Sequence, residues 1–289
     1  IEDKNFRGHA AMLGACITFG LLAPVSKSLF GTGLVSAYAL TMMRMGGGTV
    51  VFWIASLFTR REHVPPRDLL LFFFASLLGI VLNQGTYVLG VSKTSPIDAS
   101  VVTTTTPIFV MIIAALYLRE PITGKKILGV VVGAAGALLL ILSGAHLVSS
   151  RTGSGSVSGD LLCLFAQLSF ATYFVVFKKL ISRYSPVTLM KWMFLYATAC
   201  CLPFGYSDLK AVGWAELGWA DYAQIAYVVL GATFLAYLLM PIGQKNLRPT
   251  VGCVYNCLQP LVASLVAVLA GMDRFTTIKA AAVVLVFAG

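Results

Sequence analysis

Residues 8–29 read GHAAMLGACITFGLLAPVSKSL, and residues 159–180 read GDLLCLFAQLSFATYFVVFKKL. At an offset of 151, Gly8 meets Gly159, Leu13 meets Leu164, Phe19 meets Phe170, Lys27 meets Lys178 and Leu29 meets Leu180. Farther along the offset becomes 153. There Pro96 meets Pro249, Pro107 meets Pro260, Thr123 meets Thr276, Lys126 meets Lys279 and Gly136 meets Gly289. Matches that keep their order and include Pro, Lys and Thr mark an internal duplication rather than two unrelated apolar runs.

The 289 residues are 58% apolar and 11% charged, against about 25% charged in an ordinary soluble domain. Mean hydropathy is +0.87. Several stretches reach the roughly 20 residues that a helix needs to cross the hydrocarbon, whereas the alternating ~10-residue strands of a β-barrel are absent from the sequence. The expected fold class is all-α and polytopic, with ten transmembrane helices. The spans are expected at roughly 8–30, 34–58, 67–91, 96–118, 125–143, 160–182, 186–206, 222–244, 249–271 and from 278 onward. Breaks fall on turn chemistry: Gly31-Thr32-Gly33, Pro65-Pro66, Ser95-Pro96, Glu120-Pro121, Ser185-Pro186 and Arg248-Pro249. Residues 1–148 form the first repeat, the Ser/Gly-rich stretch 149–158 a linker on the periplasmic side, and 159–289 the second repeat. The chain ends twelve residues after Thr277, so the last helix is expected to be truncated. No signal-peptide cleavage pattern follows the first helix.

Five spans per repeat place the second copy upside down in the membrane, an arrangement that many secondary transporters build around a midplane site. The distribution of the +10 net charge fits a membrane, not a nucleic acid. With the N-terminus cytoplasmic, inner loops and helix ends hold fourteen basic residues: Lys4, Arg7, Arg60, Arg61, Arg67, Arg119, Lys125, Lys126, Lys178, Lys179, Arg183, Lys191, Lys245 and Arg248. The outer side holds six, namely Lys27, Lys93, Arg151, Lys210, Arg274 and Lys279. This bias puts both termini inside. The outer loop near 207–221 carries Trp214 and Trp219, as an interfacial belt does.

The residues 107–140, PIFVMIIAALYLREPITGKKILGVVVGAAGALLL, resemble the Pro-led fourth helix, acid-Pro-hydrophobic-Thr turn and Gly-rich fifth helix of the EamA-type exporters in the drug/metabolite transporter superfamily. The stretch 159–175 is similar to the start of that family's second repeat, and 259–289 to the second copy of the first stretch. Asp273-Arg274-Phe275-Thr276 departs from the pattern in lacking the proline but keeps the acid and the Thr. The resemblance covers essentially the whole chain. It implies two inverted five-helix repeats around a central cavity, alternating access, and outward movement of small polar or amphipathic metabolites, amino acids among them. It implies no cofactor. The form of the chain, short and without a cleaved leader, suggests a bacterial inner membrane. Beyond the lipid bilayer and the small-molecule substrate no partner is expected, and a monomer and a homodimer both fit.

Polar groups inside a bilayer are costly unless paired or hydrated, so they are the candidate substrate-binding residues. Arg44 sits mid-span, where its guanidinium could grip a carboxylate or phosphate, or else bond carbonyls and helix ends. Lys191 lies near the inner boundary and reads as a snorkelling anchor. Asn83, Gln84 and Tyr87 fall in the third span, Thr106 in the fourth, Gln167 and Tyr173 in the sixth, Tyr237 in the eighth at the repeat position of Gln84, and Tyr255, Asn256 and Gln259 in the ninth. Thr side chains equally bond their own helix, and Asn or Gln glue helices together. Pro107 and Pro260 share a place in the two repeats and are candidate gating or curvature points. Gly46-Gly47-Gly48 and Gly129, Gly133 and Gly136 read as packing faces. Asp98 reads as a helix N-cap rather than a proton relay, which favours facilitated movement or exchange over proton antiport.

Metal and enzyme readings find little support. His9, His63 and His146 lie at helix ends or in loops, and no nucleophile motif is present. Cys16, Cys163, Cys200, Cys201, Cys253 and Cys257 all fall in apolar stretches and read as packing residues, with no metal site expected. A channel or a membrane scaffold is the remaining alternative class.

Overall fold

The computed structural model describes residues 2–93, 102, 103, 105–119, 123–145, 157–269, 281, 284 and 285. Nine longer helical stretches follow in order among them, besides the short helix Lys178–Arg183 and the 3-10 turn Trp214–Glu216. α1 is Glu2–Gly31 and α2 is Ala37–Leu57. α3 joins Pro66–Ser76, a π-helical segment Leu77–Leu82, and Asn83–Lys93. α4 is Thr106–Tyr117, α5 is Gly124–Ala145 and α6 is Val157–Val176. α7 is Pro186–Lys210. α8 joins Trp219–Ala226, a second π segment Tyr227–Leu235, and Ala236–Asn246. α9 joins Pro249–Val254, a 3-10 turn Tyr255–Cys257, and Leu258–Leu269. Four helices are long and apolar enough to cross a membrane among the described residues: Ala37–Leu57, Pro66–Tyr87, Pro186–Lys210 and Trp219–Asn246. Of the expected tenth span only residues 281, 284 and 285 are described, and Asp98 and the linker's glycines lie outside the described residues.

Helix starts follow local chemistry. Ser36 accepts from the Ala39 amide at 3.0 Å at the head of α2. Ser185 accepts from the Thr188 amide at 3.3 Å at the head of α7, whose first residue is Pro186. The turn before α2 is made by Gly33 at φ +71, a left-handed conformation that glycine adopts without strain. Two details differ from the sequence expectation. α6 gives way at Phe177 to a short helix Lys178–Arg183 instead of running on to 182, and the Lys178 ammonium there donates to the Gln244 and Leu247 carbonyls that end α8. α7 continues to Lys210, and Trp219 opens α8, so the long outer loop is shorter than expected and contains a 3-10 turn Trp214–Glu216.

The packing repeats itself when the halves are exchanged. α1 lies against α8 and α9, and α6 lies against α3 and α4, the equivalent pair. α2 lies against α7 and α8, and α7 against α2 and α3. The equivalent helices α2 and α7 run antiparallel: Met42 faces Gly205, Gly48 faces Phe194, and Trp53 meets Trp192 at 5.5 Å between ring centroids. Copies related by an axis in the membrane plane pair in this way, whereas parallel repeats would not. The close approaches rest on glycine. A Cβ on Gly47 would stand 2.6 Å from Val229, and one on Gly20 would stand 2.6 Å from Val262 and 3.0 Å from the Gln259 carbonyl. Gly46 has open space around it, so the packing face runs through Gly47 and Gly48. The main buried cluster spans both halves, from Phe52 and Phe72 to Phe174, Phe194 and Tyr237. A second one, Leu29, Val35, Leu40, Val212, Leu217 and Val228 among its members, closes the end where α1 meets the α7–α8 connection.

At the opposite end, two acids tie the halves together. Asp68 is buried and accepts from Arg183 Nη1 at 2.7 Å and from the Tyr184 hydroxyl. Glu62 accepts from the Ser185 amide and hydroxyl. Burial pushes the Glu62 carboxyl up, but its bonds to Thr188 and Ser185 outweigh that and hold it below its ordinary value.

Candidate functional site

Where α2, α3 and α8 meet, the polar residues of the apolar bundle converge. Arg44 projects from the first half of α2 and is 6% exposed. Its Nε donates to Thr233 Oγ1 at 3.1 Å, and its Nη1 donates to Gln84 Oε1 at 3.0 Å. Gln84 Nε2 in turn donates to Asn83 Oδ1 at 3.0 Å and reaches the Tyr237 hydroxyl at 3.4 Å. Gln84 and Tyr237 are repeat equivalents, so their contact lies on the axis that relates the halves. The Tyr237 ring is held edge-on between Phe19 and Phe194, at 5.4 and 5.1 Å. Asn83 Nδ2 donates to the Ala166 carbonyl of α6 at 2.9 Å, which extends the network into the second half.

Both π segments adjoin this cluster. Leu77–Leu82 ends at Asn83 and Gln84, and Tyr227–Leu235 contains Thr233 and precedes Tyr237. A π turn widens the helix and re-aims the residues beyond it, which is why such turns recur at functional sites. The Thr233 hydroxyl donates to the Val228 carbonyl at 2.8 Å, five residues back, and accepts from Arg44 with its remaining lone pairs.

The guanidinium is incompletely satisfied. Its two partners are neutral, its Nη2 is buried without a hydrogen-bond partner among the described residues, and no described carboxylate pairs with it. An ionised group left so in a low-dielectric interior is costly.

The other candidates form satellites. The Thr106 hydroxyl lies 2.7 Å from both the Thr103 carbonyl and Gln167 Oε1, bridging α4 and α6. Pro107 stands in the first turn of α4, and it lacks the amide that would bond the Thr103 carbonyl. The Thr106 hydroxyl takes that carbonyl instead. On the other half the equivalents of Thr103, Thr106 and Gln167 are Asn256, Gln259 and Cys16. There the Cys16 thiol reaches Asn256 Oδ1 at 4.0 Å and Gln259 Nε2 reaches the same oxygen at 3.4 Å. Pro260 follows the 3-10 turn in α9. The Tyr255 hydroxyl lies 2.7 Å from His9 Nδ1. The Tyr173 hydroxyl is 3.5 Å from Gln244 Oε1, and Gln244 Nε2, like Arg44 Nη2, is a buried nitrogen without a partner among the described residues. Tyr87 is half-buried on the α3 turn after Gln84. Lys191 stands 5.1 Å from the Trp53 ring centroid.

Sequence reasoning missed Thr233, Gln244 and the π segments. The repeat equivalents of Thr233 and Gln244 are Ile80 and Val91, so the duplication gave neither a polar counterpart.

Comparison with known proteins agrees with this architecture. The EamA-like transporter family matches the chain twice, at residues 6–142 and 157–289. The uncharacterized transporter YyaM of Bacillus subtilis (strain 168) is 21% identical over 98% of this chain and 92% of its own length. An uncharacterized transporter of Archaeoglobus fulgidus is 25% identical over 78% of this chain and 77% of its own. A WAT1-related protein of Arabidopsis thaliana is 25% identical over 90% and 72%. One crystal structure superposes with a TM-score of 0.77 over 99% of this chain and 96% of that one, at 18% identity, and so shares its fold. With both of its halves matched, this polytopic all-α membrane protein belongs to the EamA-like transporter family and is a transporter rather than an enzyme.

Proposed function

We propose that the chain moves small polar or amphipathic metabolites outward by alternating access. The two halves rock about the α2–α3–α8 cluster and open it to one side at a time. The observation that carries this reading is the hydrogen-bonded chain from Arg44 through Gln84 to Tyr237. It joins the repeats at their axis, so a rocking motion must remake it. Asn83, Thr106, Gln167, Tyr173, Tyr255, Asn256 and Gln259 then line or brace the route, Tyr87 stands beside it, and Pro107 and Pro260, at matched places in α4 and α9, act in gating. The charge bias supports cytoplasmic termini in a bacterial inner membrane.

The test is flux of radiolabelled amino acids, carboxylates and nucleosides in proteoliposomes, with Arg44→Ala and Gln259→Ala beside the parent. Saturable flux in the parent, reduced at least about tenfold by Arg44→Ala, is expected, because about 1.4 kcal/mol of lost binding is a tenfold effect. A continuous current that does not saturate would identify a channel.

A further inference from the structure

We propose that the cargo is an organic monoanion whose carboxylate seats on the unpaired Nη2 of Arg44, and that the carrier exchanges such anions rather than releasing them one way. The inference rests on the α2–α3–α8 cluster being the cargo site.

Three observations lead there. First, Arg44 is buried and held by two neutral acceptors from opposite halves, Gln84 Oε1 and Thr233 Oγ1. Those bonds fix the plane of the guanidinium and leave Nη2 turned into the bundle with nothing to bond among the described residues. A carboxylate oxygen is the acceptor that such an unpaired guanidinium N–H bonds most strongly. Second, the Tyr237 hydroxyl stands beside the Arg44 partner Gln84, which places a neutral donor where an anion gains a further bond. Third, the cluster holds cation and amide but no described carboxylate. Asp68, the buried acid, is engaged at the far end of α3 by Arg183 and Tyr184. An ammonium group on the cargo would therefore find no counter-charge, so a plain carboxylate suits the site better than a zwitterion or a cation.

Exchange follows from the same charge. Alternating access passes through an occluded state from which bulk water is gone. Loaded, that state holds a neutral ion pair. Empty, it holds a bare guanidinium, whose desolvation raises the barrier. The loaded carrier reorients faster than the empty one, and a neutral loaded site is indifferent to membrane voltage.

The experiment uses probes of one skeleton and three charges: 4-methyl-2-oxopentanoate (anion), leucine (zwitterion) and leucinamide (cation), with lactate and lactamide as a smaller pair. Melting of the purified full chain is followed at constant ionic strength in each, for the parent, Arg44→Gln and Arg44→Lys. At least one anion is expected to raise the parent's melting temperature while its amide does not. The shift disappears in Arg44→Gln and returns in part in Arg44→Lys, which guards against a variant that simply misfolds. In proteoliposomes loaded with the same anion, exchange is expected to exceed net efflux by at least about tenfold and to ignore a potassium diffusion potential. Stabilisation by acid and amide alike, by neither anion, or undiminished in Arg44→Gln overturns the monoanion assignment. Net efflux as fast as exchange overturns the exchange mode. Saturable flux of leucinamide that is insensitive to Arg44→Gln would sink this inference and leave the carrier reading standing, whereas a non-saturating current would sink the carrier reading itself.

Discussion

Among the described residues a single buried cation organises the polar interior, and its position was legible in the sequence: an Arg far from either end of an apolar span is a candidate for a polar site. Its partner Thr233 was not legible. A Thr in VVLGATFL adds little polarity, and nothing local says that a π turn will aim it across to another helix. The tie between Asp68 and Arg183 was hidden for a different reason, since the residues lie 115 apart and only tertiary packing joins them. That tie is asymmetric. Asp68 is 5% exposed on its side chain and Arg183 60%. Arg183→Ala leaves a buried carboxylate with Tyr184 as its remaining donor and should cost about 1–3 kcal/mol. Asp68→Asn leaves an arginine that water already reaches. The double variant is therefore expected to melt above Arg183→Ala alone. Equal melting of the two would show that the loss comes from Arg183 packing instead.

At the scale of elements, the helices were readable because ~20 apolar residues between turn signals admit few other structures in a bilayer. Internal breaks were less readable. Pro107 opens α4 and Pro260 lies just past the 3-10 turn of α9, whereas the π segments Leu77–Leu82 and Tyr227–Leu235 carry no proline. Each has a carbonyl bonded by a side chain: the Ser169 hydroxyl of α6 donates to the Leu78 carbonyl, and the Thr233 hydroxyl to the Val228 carbonyl of its own segment. The one Thr233 hydroxyl thus serves the Val228 carbonyl and Arg44 together. Thr233→Val keeps the shape and removes both roles. It is expected to lower stability by about 1–3 kcal/mol, while Thr233→Ser stays near the parent in the same denaturation series. If Thr233→Val melts with the parent, the π turn holds itself and Arg44 finds another acceptor.

For the whole molecule, the duplication foretold the packing. Each half carries its first helix away to the other: α1 to α8 and α9, α6 to α3 and α4. Neither half keeps a complete set of neighbours alone, so their association is part of folding and not a later docking. A chain cut between its repeats is expected to yield halves that copurify from membranes when expressed together and that are degraded when expressed singly. Stable accumulation of either half by itself would contradict this. What the duplication could not foretell is where the halves differ, such as the acid ties present at one end and the apolar cluster at the other, because selection is free to change one copy without its twin.

The meeting of α2 with α7 has a consequence for spectroscopy. Trp53 and Trp192 touch there, one from each half, with the Lys191 ammonium over the Trp53 ring, while Trp214 and Trp219 stand at the other end of the molecule. The chain's four indoles are thus sorted into two pairs by position. Removing the distal pair leaves an ultraviolet emission whose quenching and exciton coupling report the separation of the two halves, so the unlabelled protein carries its own optical ruler.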